Sequence, residues 1–191
     1  MKRISIVLLM AAVVAFSSFT LLETWKLDKA HSQLGFSVTH LGISDVSGYI
    51  KSFDVTIKAE KPDYSDAVVE LTGDMASINT GIEMRDNHLK GPDFFDAVKY
   101  PTINFISTGL KSAGANKYKM TGNLTFHGVT KPITLDLWYR GTAANPQSKA
   151  PVAGFQVTGV IKRTDFGIAT GFPAAMLGDD VYIKADGEFG K

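Results

Sequence analysis

Apolar and polar residues alternate along much of the chain. Leucine, phenylalanine and valine occupy every second position of residues 34–38, and small or polar residues lie between them. The same period of two recurs in residues 118–126, 133–137 and 181–189. This period is typical of β-strands with one buried face and one exposed face. Because few helices are predicted to cover the buried faces, the pattern favours a sheet closed into a barrel, which can be hollow.

Turn-forming residues separate the segments that carry strand signals. The spacing after Pro101 indicates an antiparallel meander. We therefore predict a mainly all-β protein, built as an antiparallel barrel of about eight strands. The predicted strands are Thr24–Leu27, Ser32–His40, Ser47–Ala59, Ala67–Asp74, Thr102–Leu110, Tyr118–Phe126, Ile133–Arg140, Val152–Arg163 and Val181–Phe189.

One segment breaks the alternation and predicts a short helix near one end of the barrel. Thr80 and Glu83 match a capping box, in which the two side chains bind free amides at a helix start. Glycine and proline at positions 91 and 92 are typical of a helix end. The sequence predicts a helix over Gly81–Lys90.

The first 22 residues are similar to a secretory signal peptide. Lys2 and Arg3 precede an uncharged apolar run, Ile4–Phe16, which small residues follow. The run is shorter than the ~20 residues of a membrane-spanning helix; a retained amphipathic anchor is the alternative interpretation. We predict that residues 1–22 are a signal peptide with an undefined cleavage site. Residues 23–191 are then one exported domain.

The composition excludes several classes of function. The chain has 191 residues, no cysteine and a net charge of +1. Without cysteine it forms neither disulfides nor thiolate metal sites. A near-neutral chain lacks the basic surface that favours nucleic-acid binding. The sequence also contains no basic amphipathic helix of the kind that binds a membrane surface. We expect no nucleic-acid partner and no stable insertion of the mature chain into a membrane.

Three glycines lie at positions that the alternation assigns to the barrel interior: Gly122, Gly159 and Gly187. One interpretation is that they allow bulges or bends where the sheet curves. The other is that their missing side chains leave an unfilled channel. About eight strands is the size at which a barrel has room for one small ligand.

The four histidines, His31, His40, His88 and His127, lack the spacing of a metal site, and none is predicted. Strand parity turns His40 inward near a strand end. It is either a structural histidine with its hydrogen bonds satisfied, or a residue that binds ligand or acts as a base.

Charged residues are also expected near one end of the barrel. Arg85, Asp86 and His88 lie together on the predicted helix, and Arg163 and Asp165 share the parity of the inward residues before them. Inward charges are costly unless paired, so one interpretation is a set of salt bridges between helix and barrel. The other places them at the mouth, where arginine binds an anionic or polar head group. No nucleophile motif such as Gly-x-Ser-x-Gly occurs.

The loop Gly171–Gly178 contains no charged residue. Loops are usually polar, so this one is expected either to fold inward as a plug or to form a lip that touches lipid or ligand.

Several short motifs together resemble the YceI-like family, often described as polyisoprenoid-binding proteins. The resemblance extends from Trp25 to Phe189 and depends on the order and number of the motifs. They are Asp28–Ser32, Phe36–His40, Arg85–Leu89, Phe94–Asp96, Tyr100–Pro101, Gly122–Pro132 and Arg163–Gly167.

The resemblance implies a lipocalin-like antiparallel barrel whose lumen holds a long apolar chain such as an isoprenoid lipid. It also implies location in the periplasm of a Gram-negative bacterium and no catalytic activity. Lys162 stands where the family often has asparagine, and the signal segment has no lipobox cysteine, which implies a soluble form.

We therefore predict a protein that carries or stores a polyisoprenoid or isoprenoid quinone. It needs no cofactor, although an isoprenoid-type lipid is a candidate bound ligand. Other amphiphiles, such as fatty acids or amides, are the first alternative. A hydrolase that uses His88 with Asp86 or Asp165 is the more distant one. The oligomeric state is open, with a homodimer as one possibility.

The site residues that we predict fall into two groups. The expected lumen residues are Phe36, Val38, Phe53, Phe94, Phe95, Phe105, Met120, Gly122, Leu124, Phe155, Val157, Gly159 and Ile161. The expected mouth or head-group residues are His40, Arg85, Asp86, His88, Arg163 and Asp165.

Overall fold

The computed structural model describes residues 23–191, so the predicted signal peptide lies outside the described residues. This part contains ten strands, one α-helix and two short 3-10 helices. The strands are β1 (Glu23–His40), β2 (Ser44–Ile50), β3 (Phe53–Ala59), β4 (Val68–Asp74), β5 (Ile78–Asn79), β6 (Thr102–Ser112), β7 (Lys117–Phe126), β8 (Val129–Ala144), β9 (Pro151–Lys162) and β10 (Leu177–Gly190). The helix α1 spans Glu83–Leu89, and the 3-10 helices span Met75–Ser77 and Arg163–Phe166.

The strands form a closed antiparallel barrel. β2 and β3 act as one bent strand, because both pair with β1, and β4 and β5 follow them as a second bent strand. Each of the eight resulting strands pairs with the next along the chain. β10 closes the barrel by pairing with β1, from Lys26 opposite Gly190 to His40 opposite Leu177. The predicted eight-stranded antiparallel barrel is confirmed.

Burial along β7 follows the predicted alternation. Tyr118, Met120, Gly122, Leu124 and Phe126 are buried, and the residues between them are exposed or half-buried. Because a strand turns successive side chains to opposite faces, one row fills the interior and the other meets solvent.

A register irregularity explains why one strand was predicted as two. The segments Thr24–Leu27 and Ser32–His40 both belong to β1, whose pairing with β10 shifts between Asp28 and Gln33. The Ser32 hydroxyl accepts a hydrogen bond from the Glu188 amide at 3.2 Å, so the shifted segment stays joined to β10. A bulge of this kind interrupts the alternation without ending the strand.

The predicted helix is present but shorter, and its capping box is wrong. α1 begins after Ile82, which makes no side-chain cap. The Thr80 hydroxyl and amide instead donate to Asp86 Oδ1, at 2.6 and 2.7 Å. The buried Asp86, inside the helix, therefore binds the preceding turn in place of Glu83.

The two ends of the barrel are closed differently. At one end, which we call the mouth, α1 with the following turn and the loop 167–177 cover the lumen. At the opposite, closed end, Tyr64 is 3% exposed and packs against Trp25, Tyr139 and Phe155 with ring centroids 4.8–5.6 Å apart. The aromatic cluster fills the closed end, so free space lies toward the mouth and the centre.

Candidate functional site

A cavity of about 310 Å³ lies inside the barrel beneath the mouth. We call it the mouth cavity. Its walls come from inward rows of adjacent strands, including Phe36 and Val38 on β1 and Val181 and Ile183 on β10. These side chains are half-buried because they face the cavity rather than close-packed neighbours. The volume falls in the range of natural small-molecule sites, about 300–1,000 Å³.

Aromatic contacts hold the cover of the mouth cavity in place. The turn after α1 returns to the helix end through a hydrogen bond from the Phe95 amide to the Leu89 carbonyl at 3.0 Å. The Phe95 ring stacks on Phe126 of β7 at 5.5 Å, and the Phe94 ring contacts Phe172 of the loop 167–177 at 5.1 Å. All of these residues line the cavity, so the cover is apolar on its inner side.

A second space of about 110 Å³, the inner cavity, lies deeper in the barrel. Of the predicted lumen residues, the mouth cavity is lined by Phe36, Val38, Phe94, Phe95 and Ile161. The inner cavity is lined by Phe53, Phe105, Met120, Leu124, Phe155 and Val157. Strand parity therefore placed nine of these side chains on the inner face of the barrel, while Phe94 and Phe95 reach the mouth cavity from the turn after α1.

Gly122 and Gly159 line neither cavity, and the prediction that they leave open space is wrong. The ring of Phe105 occupies the space where a side chain at Gly122 would lie, and the Leu135 side chain does so at Gly159. Gly187 does line the inner cavity. Strand parity showed that these glycines face the barrel interior, but it could not show that a side chain from a neighbouring strand fills the space above each of Gly122 and Gly159.

Arg163 lies at the mouth and lines the mouth cavity, but it is 4% exposed and binds the protein itself. Its guanidinium donates five hydrogen bonds to main-chain carbonyls, at 2.5–3.1 Å. The acceptors are the carbonyl oxygens of Ile168, Ala169, Phe172, Leu177 and Gly178. Since a guanidinium has five N–H groups, none remains for a ligand head group.

The guanidinium of Arg85 uses only some of its N–H groups in hydrogen bonds to residues 23–191. Its Nε donates to the Thr80 hydroxyl and its Nη2 to the Thr80 carbonyl, both at 2.7 Å. The other N–H groups of Arg85 have no hydrogen-bond partner within residues 23–191, and no carboxylate there lies within 4.0 Å of this guanidinium. Arg85 is half-buried and lines the mouth cavity. Its geometry suits an anionic or carbonyl group at the mouth.

The two predicted mouth carboxylates lie outside both cavities. Asp86 accepts hydrogen bonds from Thr80, which lower the pKa of Asp86 below its ordinary value. Asp165 is exposed and forms an ion pair with Lys131 at 2.9 Å. The inward placement of Asp165 is wrong because the chain leaves the strand at Arg163 and enters a 3-10 helix, where strand parity no longer applies.

His40 and His88 both line the mouth cavity and are exposed at its rim. His88 Nε2 lies 3.8 Å from Asp93 Oδ2, and its ring meets Phe94 edge-on at 4.9 Å. In the described part of the chain, no hydrogen bond or ion pair joins His88 to Asp86 or Asp165. The pairing that the hydrolase alternative needs is not assembled.

The loop 171–178 combines both expected behaviours. Phe172 and Leu177 are half-buried and line the mouth cavity, whereas Pro173, Ala174 and Ala175 are exposed. Met176 lines the cavity and is 46% exposed. The loop is thus a plug on its inner side and an apolar lip on its outer side.

Sequence reasoning missed some wall residues and one polar cluster. Leu34, Ile103, Val181 and Ile183 line the cavities, and their parity with predicted wall residues could have identified them. Asp28, His31 and Glu188 bring their ligand atoms within 4.8 Å of one another at the β1 irregularity. All three are solvent-facing, and a hydrogen bond of 2.9 Å between Asp28 and His31 already uses two of these atoms.

Residues 25–189 match the YceI-like domain family. The chain belongs to this family. A UPF0312 protein of Staphylococcus aureus (strain MSSA476) is 36% identical to this YceI-like chain over 172 residues, which cover 88% of the chain and 98% of the relative. The family resemblance found in the sequence is confirmed.

Solved structures show the same barrel. Burkholderia cenocepacia BcnA has a TM-score of 0.77 and 27% identity, covering 85% of this YceI-like chain and 98% of its own. The YceI protein of Campylobacter jejuni has a TM-score of 0.72 and 38% identity. The match covers 86% of this YceI-like chain and 96% of the Campylobacter jejuni protein. A polyisoprenoid binding domain from Saccharophagus degradans has a TM-score of 0.65, and the match covers 89% of this YceI-like chain and 99% of that domain. At 16% identity, this likeness shows a shared fold alone.

Among the described residues, no helix has both the length and the hydropathy to cross a membrane.

Proposed function

We propose that this YceI-like protein binds a long-chain apolar lipid, of the polyisoprenoid or isoprenoid quinone type, in its barrel. It carries or stores this lipid in the periplasm. The mouth cavity carries the proposal, since it is about 310 Å³ of apolar-walled space inside a closed barrel. The name of the structurally similar Saccharophagus degradans domain, which refers to polyisoprenoid binding, supports the choice of lipid.

Burial of the tail supplies the binding free energy. Each buried methylene contributes roughly 0.8 kcal/mol, so about a dozen carbons give on the order of 10 kcal/mol before association costs. Phe36, Val38 and Val181 offer only carbon atoms from their side chains to the cavity. A lipid tail therefore binds without any need for directional contacts.

The head group lies at the mouth, beside Arg85. His40 and His88 flank the same rim. Arg163 does not bind the head group, because its N–H groups are all bound to main-chain carbonyls. The lipid thus enters tail first, and its polar end stays near solvent.

Native mass spectrometry tests the proposal on protein purified gently from a Gram-negative host, with extraction and identification of any lipid. We expect an isoprenoid-type lipid at close to one per chain. In Val181→Trp, the new ring should fill the mouth cavity and exclude the lipid. Tyr182→Trp is the matched control, because residue 182 lies on the outer side of the same strand and is 50% exposed. Folded wild-type protein with no bound lipid contradicts the proposal.

Other amphiphiles form the second candidate class, and the spare N–H groups of Arg85 favour it. A fatty acid or an amide offers an oxygen acceptor that matches these donors. A ligand panel with one tail and different head groups separates the two candidates. Equal affinity for every head group would indicate selection by the tail alone.

We propose a binding protein without catalytic activity. His88 lacks a carboxylate partner at hydrogen-bond distance in the described chain, since Asp93 lies 3.8 Å away. Turnover of an ester or amide that disappears in His88→Ala would contradict this.

Export rests on the pattern of residues 1–22, in which Lys2 and Arg3 precede an apolar run. Cell fractionation with N-terminal sequencing of the mature protein tests it. We expect a periplasmic protein whose N-terminus lies near residue 23.

A further inference from the structure

Three side chains line both the mouth cavity and the inner cavity. They are Leu34 of β1, Ile103 of β6 and Ile183 of β10. A residue that faces two separate spaces lies on the boundary between them. The mouth cavity and the inner cavity therefore adjoin at these residues, and the boundary between the two spaces is made of aliphatic side chains.

Contacts above Gly73 of β4 show how closely this boundary is built. A Cβ placed on Gly73 would lie 2.9 Å from Ile103 Cγ2, 3.2 Å from Ile50 Cγ2 and 3.7 Å from Leu34 Cδ2. Side chains from three different strands thus converge over one glycine. The absent side chain at Gly73 leaves room for Ile103, Ile50 and Leu34 beside one another on this side of the lumen.

The inner cavity ends at aromatic rings. Phe155 and Phe189 line it and meet edge-on at 5.6 Å. Tyr64 lies behind Phe155 at 5.0 Å, and the Tyr118 hydroxyl donates to the Asp63 carbonyl at 2.7 Å. That hydrogen bond anchors the turn that carries Tyr64. The inner cavity is therefore a short chamber with a fixed end.

We propose that Leu34, Ile103 and Ile183 form a partition that makes binding depend on tail length in two steps. This inference rests on the proposed lipid-binding function. Short tails occupy the mouth cavity alone. Longer tails reach the inner cavity only by displacing the partition side chains, and they end at Phe155 and Phe189. The three aliphatic residues thus determine which single-chain lipids the barrel holds.

A stepwise affinity profile follows. Each methylene buried in the mouth cavity should raise affinity roughly 4-fold. The methylenes that meet the partition should add much less, because burial there requires the side chains to move out of close packing. Affinity should then rise again for tails long enough to enter the inner cavity.

The experiment measures dissociation constants for a series of probes on the delipidated full-length mature protein. The probes are saturated straight-chain fatty acids of even carbon number, from octanoic to eicosanoic acid, and the matching alcohols. Ile103→Ala should raise affinity for the longest probes ~10-fold and change that for octanoic acid by less than ~3-fold. Leu110→Ala is the matched control, because Leu110 lies on the same strand and lines neither cavity. It should leave the whole profile unchanged.

Two results would overturn the partition while leaving lipid binding intact. One is a wild-type affinity that rises uniformly across the series, and the other is an equal effect of Ile103→Ala on all tail lengths. If that variant does not fold, Ile183→Val removes a single methyl group from the partition and should act in the same direction by ~2-fold. Failure of the wild-type protein to bind any acid or alcohol would overturn the partition as a selector of straight-chain lipids, whereas the proposed isoprenoid binding is tested separately by the lipid that co-purifies with the protein.

Discussion

Arg163 Nη2 donates a hydrogen bond of 2.6 Å to the main-chain oxygen of Phe172, nine residues along the chain. The contact joins the end of a barrel strand to the loop that covers the mouth cavity. Four more carbonyls bind the same guanidinium. The positive charge at the mouth therefore shapes the cover and is not offered to the ligand.

Replacing Arg163 by lysine should loosen this loop. Lysine keeps the charge, but its single ammonium cannot reach five carbonyls that surround a planar guanidinium. We expect a loss of about 2–4 kcal/mol in the free energy of unfolding, since several buried carbonyls lose their donors. Hydrogen exchange should be faster at the amides of residues 168–177. Lys162→Ala, which removes an exposed lysine paired with Asp180, should cost below about 1 kcal/mol. Equal exchange in wild type and R163K would contradict the role assigned to Arg163.

Gly122 and Gly159 should differ in their tolerance of alanine. At Gly122 a Cβ meets the Phe105 ring and also the Ile106 main-chain oxygen at 2.6 Å, whereas at Gly159 the close contact is the end of the Leu135 side chain. A side chain can change rotamer, but a paired strand carbonyl cannot move easily. We expect Gly122→Ala to lower the free energy of unfolding by about 2–4 kcal/mol and Gly159→Ala by about 1–2 kcal/mol.

Urea denaturation of both glycine variants provides the measurement. The double variant Gly159→Ala with Leu135→Ala should lose less than the sum of its single variants, because Leu135→Ala removes the obstructing group. Additive losses would show that Leu135 is not the obstruction.

The barrel was predictable because the alternation of apolar and polar residues within each strand shows which side chains face inward. Alternation in the β7 segment gave the buried row from Tyr118 to Phe126, and the structure buries that row. The predicted strand bounds and side-chain directions were wrong where this alternation of two residues was interrupted. The shift between Asp28 and Gln33 divided β1 in two, and the 3-10 turn after Arg163 sent Asp165 outward.

The site was less predictable because it depends on contacts between distant strands. Parity showed that Gly122 faces inward, but Phe105 on the neighbouring strand decides that no space remains there. The charge pattern placed Arg85 and Arg163 together at the mouth. Only the hydrogen bonds show that, within residues 23–191, Arg85 has N–H groups without a partner and Arg163 has none.

Arg85→Gln should weaken the binding of anionic ligands selectively. The guanidinium offers charged donors at the mouth, whereas the tail is bound by the apolar walls. We expect affinity for a long-chain fatty acid to fall ~10-fold and affinity for the matching alcohol to change by less than ~3-fold, as charged hydrogen bonds exceed neutral ones. Fluorescence displacement measures both. Lys90→Gln removes a nearby charge that lines neither cavity, and it should affect neither ligand. Equal losses for acid and alcohol in Arg85→Gln would assign Arg85 a structural role only.

Asp86→Asn should produce a pH-dependent loss of stability. The Thr80 hydroxyl and amide hold the pKa of Asp86 below its ordinary value in the folded protein. A carboxyl with a lowered folded-state pKa stabilises the protein fully above its unfolded value, about 3.9, and this contribution is lost as the pH falls through the folded value. Asparagine does not titrate in this range. The variant should therefore be about 1–3 kcal/mol less stable than wild type at neutral pH.

The difference between wild type and Asp86→Asn should shrink as the pH falls below about 4, because wild type also loses the charge there. Urea denaturation at a series of pH values measures it. Asp93→Asn is the control, since the Asp93 side chain is 72% exposed and His88 Nε2 lies 3.8 Å from Asp93 Oδ2. Its unfolding free energy should follow the wild-type profile. A constant difference between Asp86→Asn and wild type down to about pH 2 would show that the hydrogen bonds of Thr80, and not the carboxylate charge, account for the stabilisation.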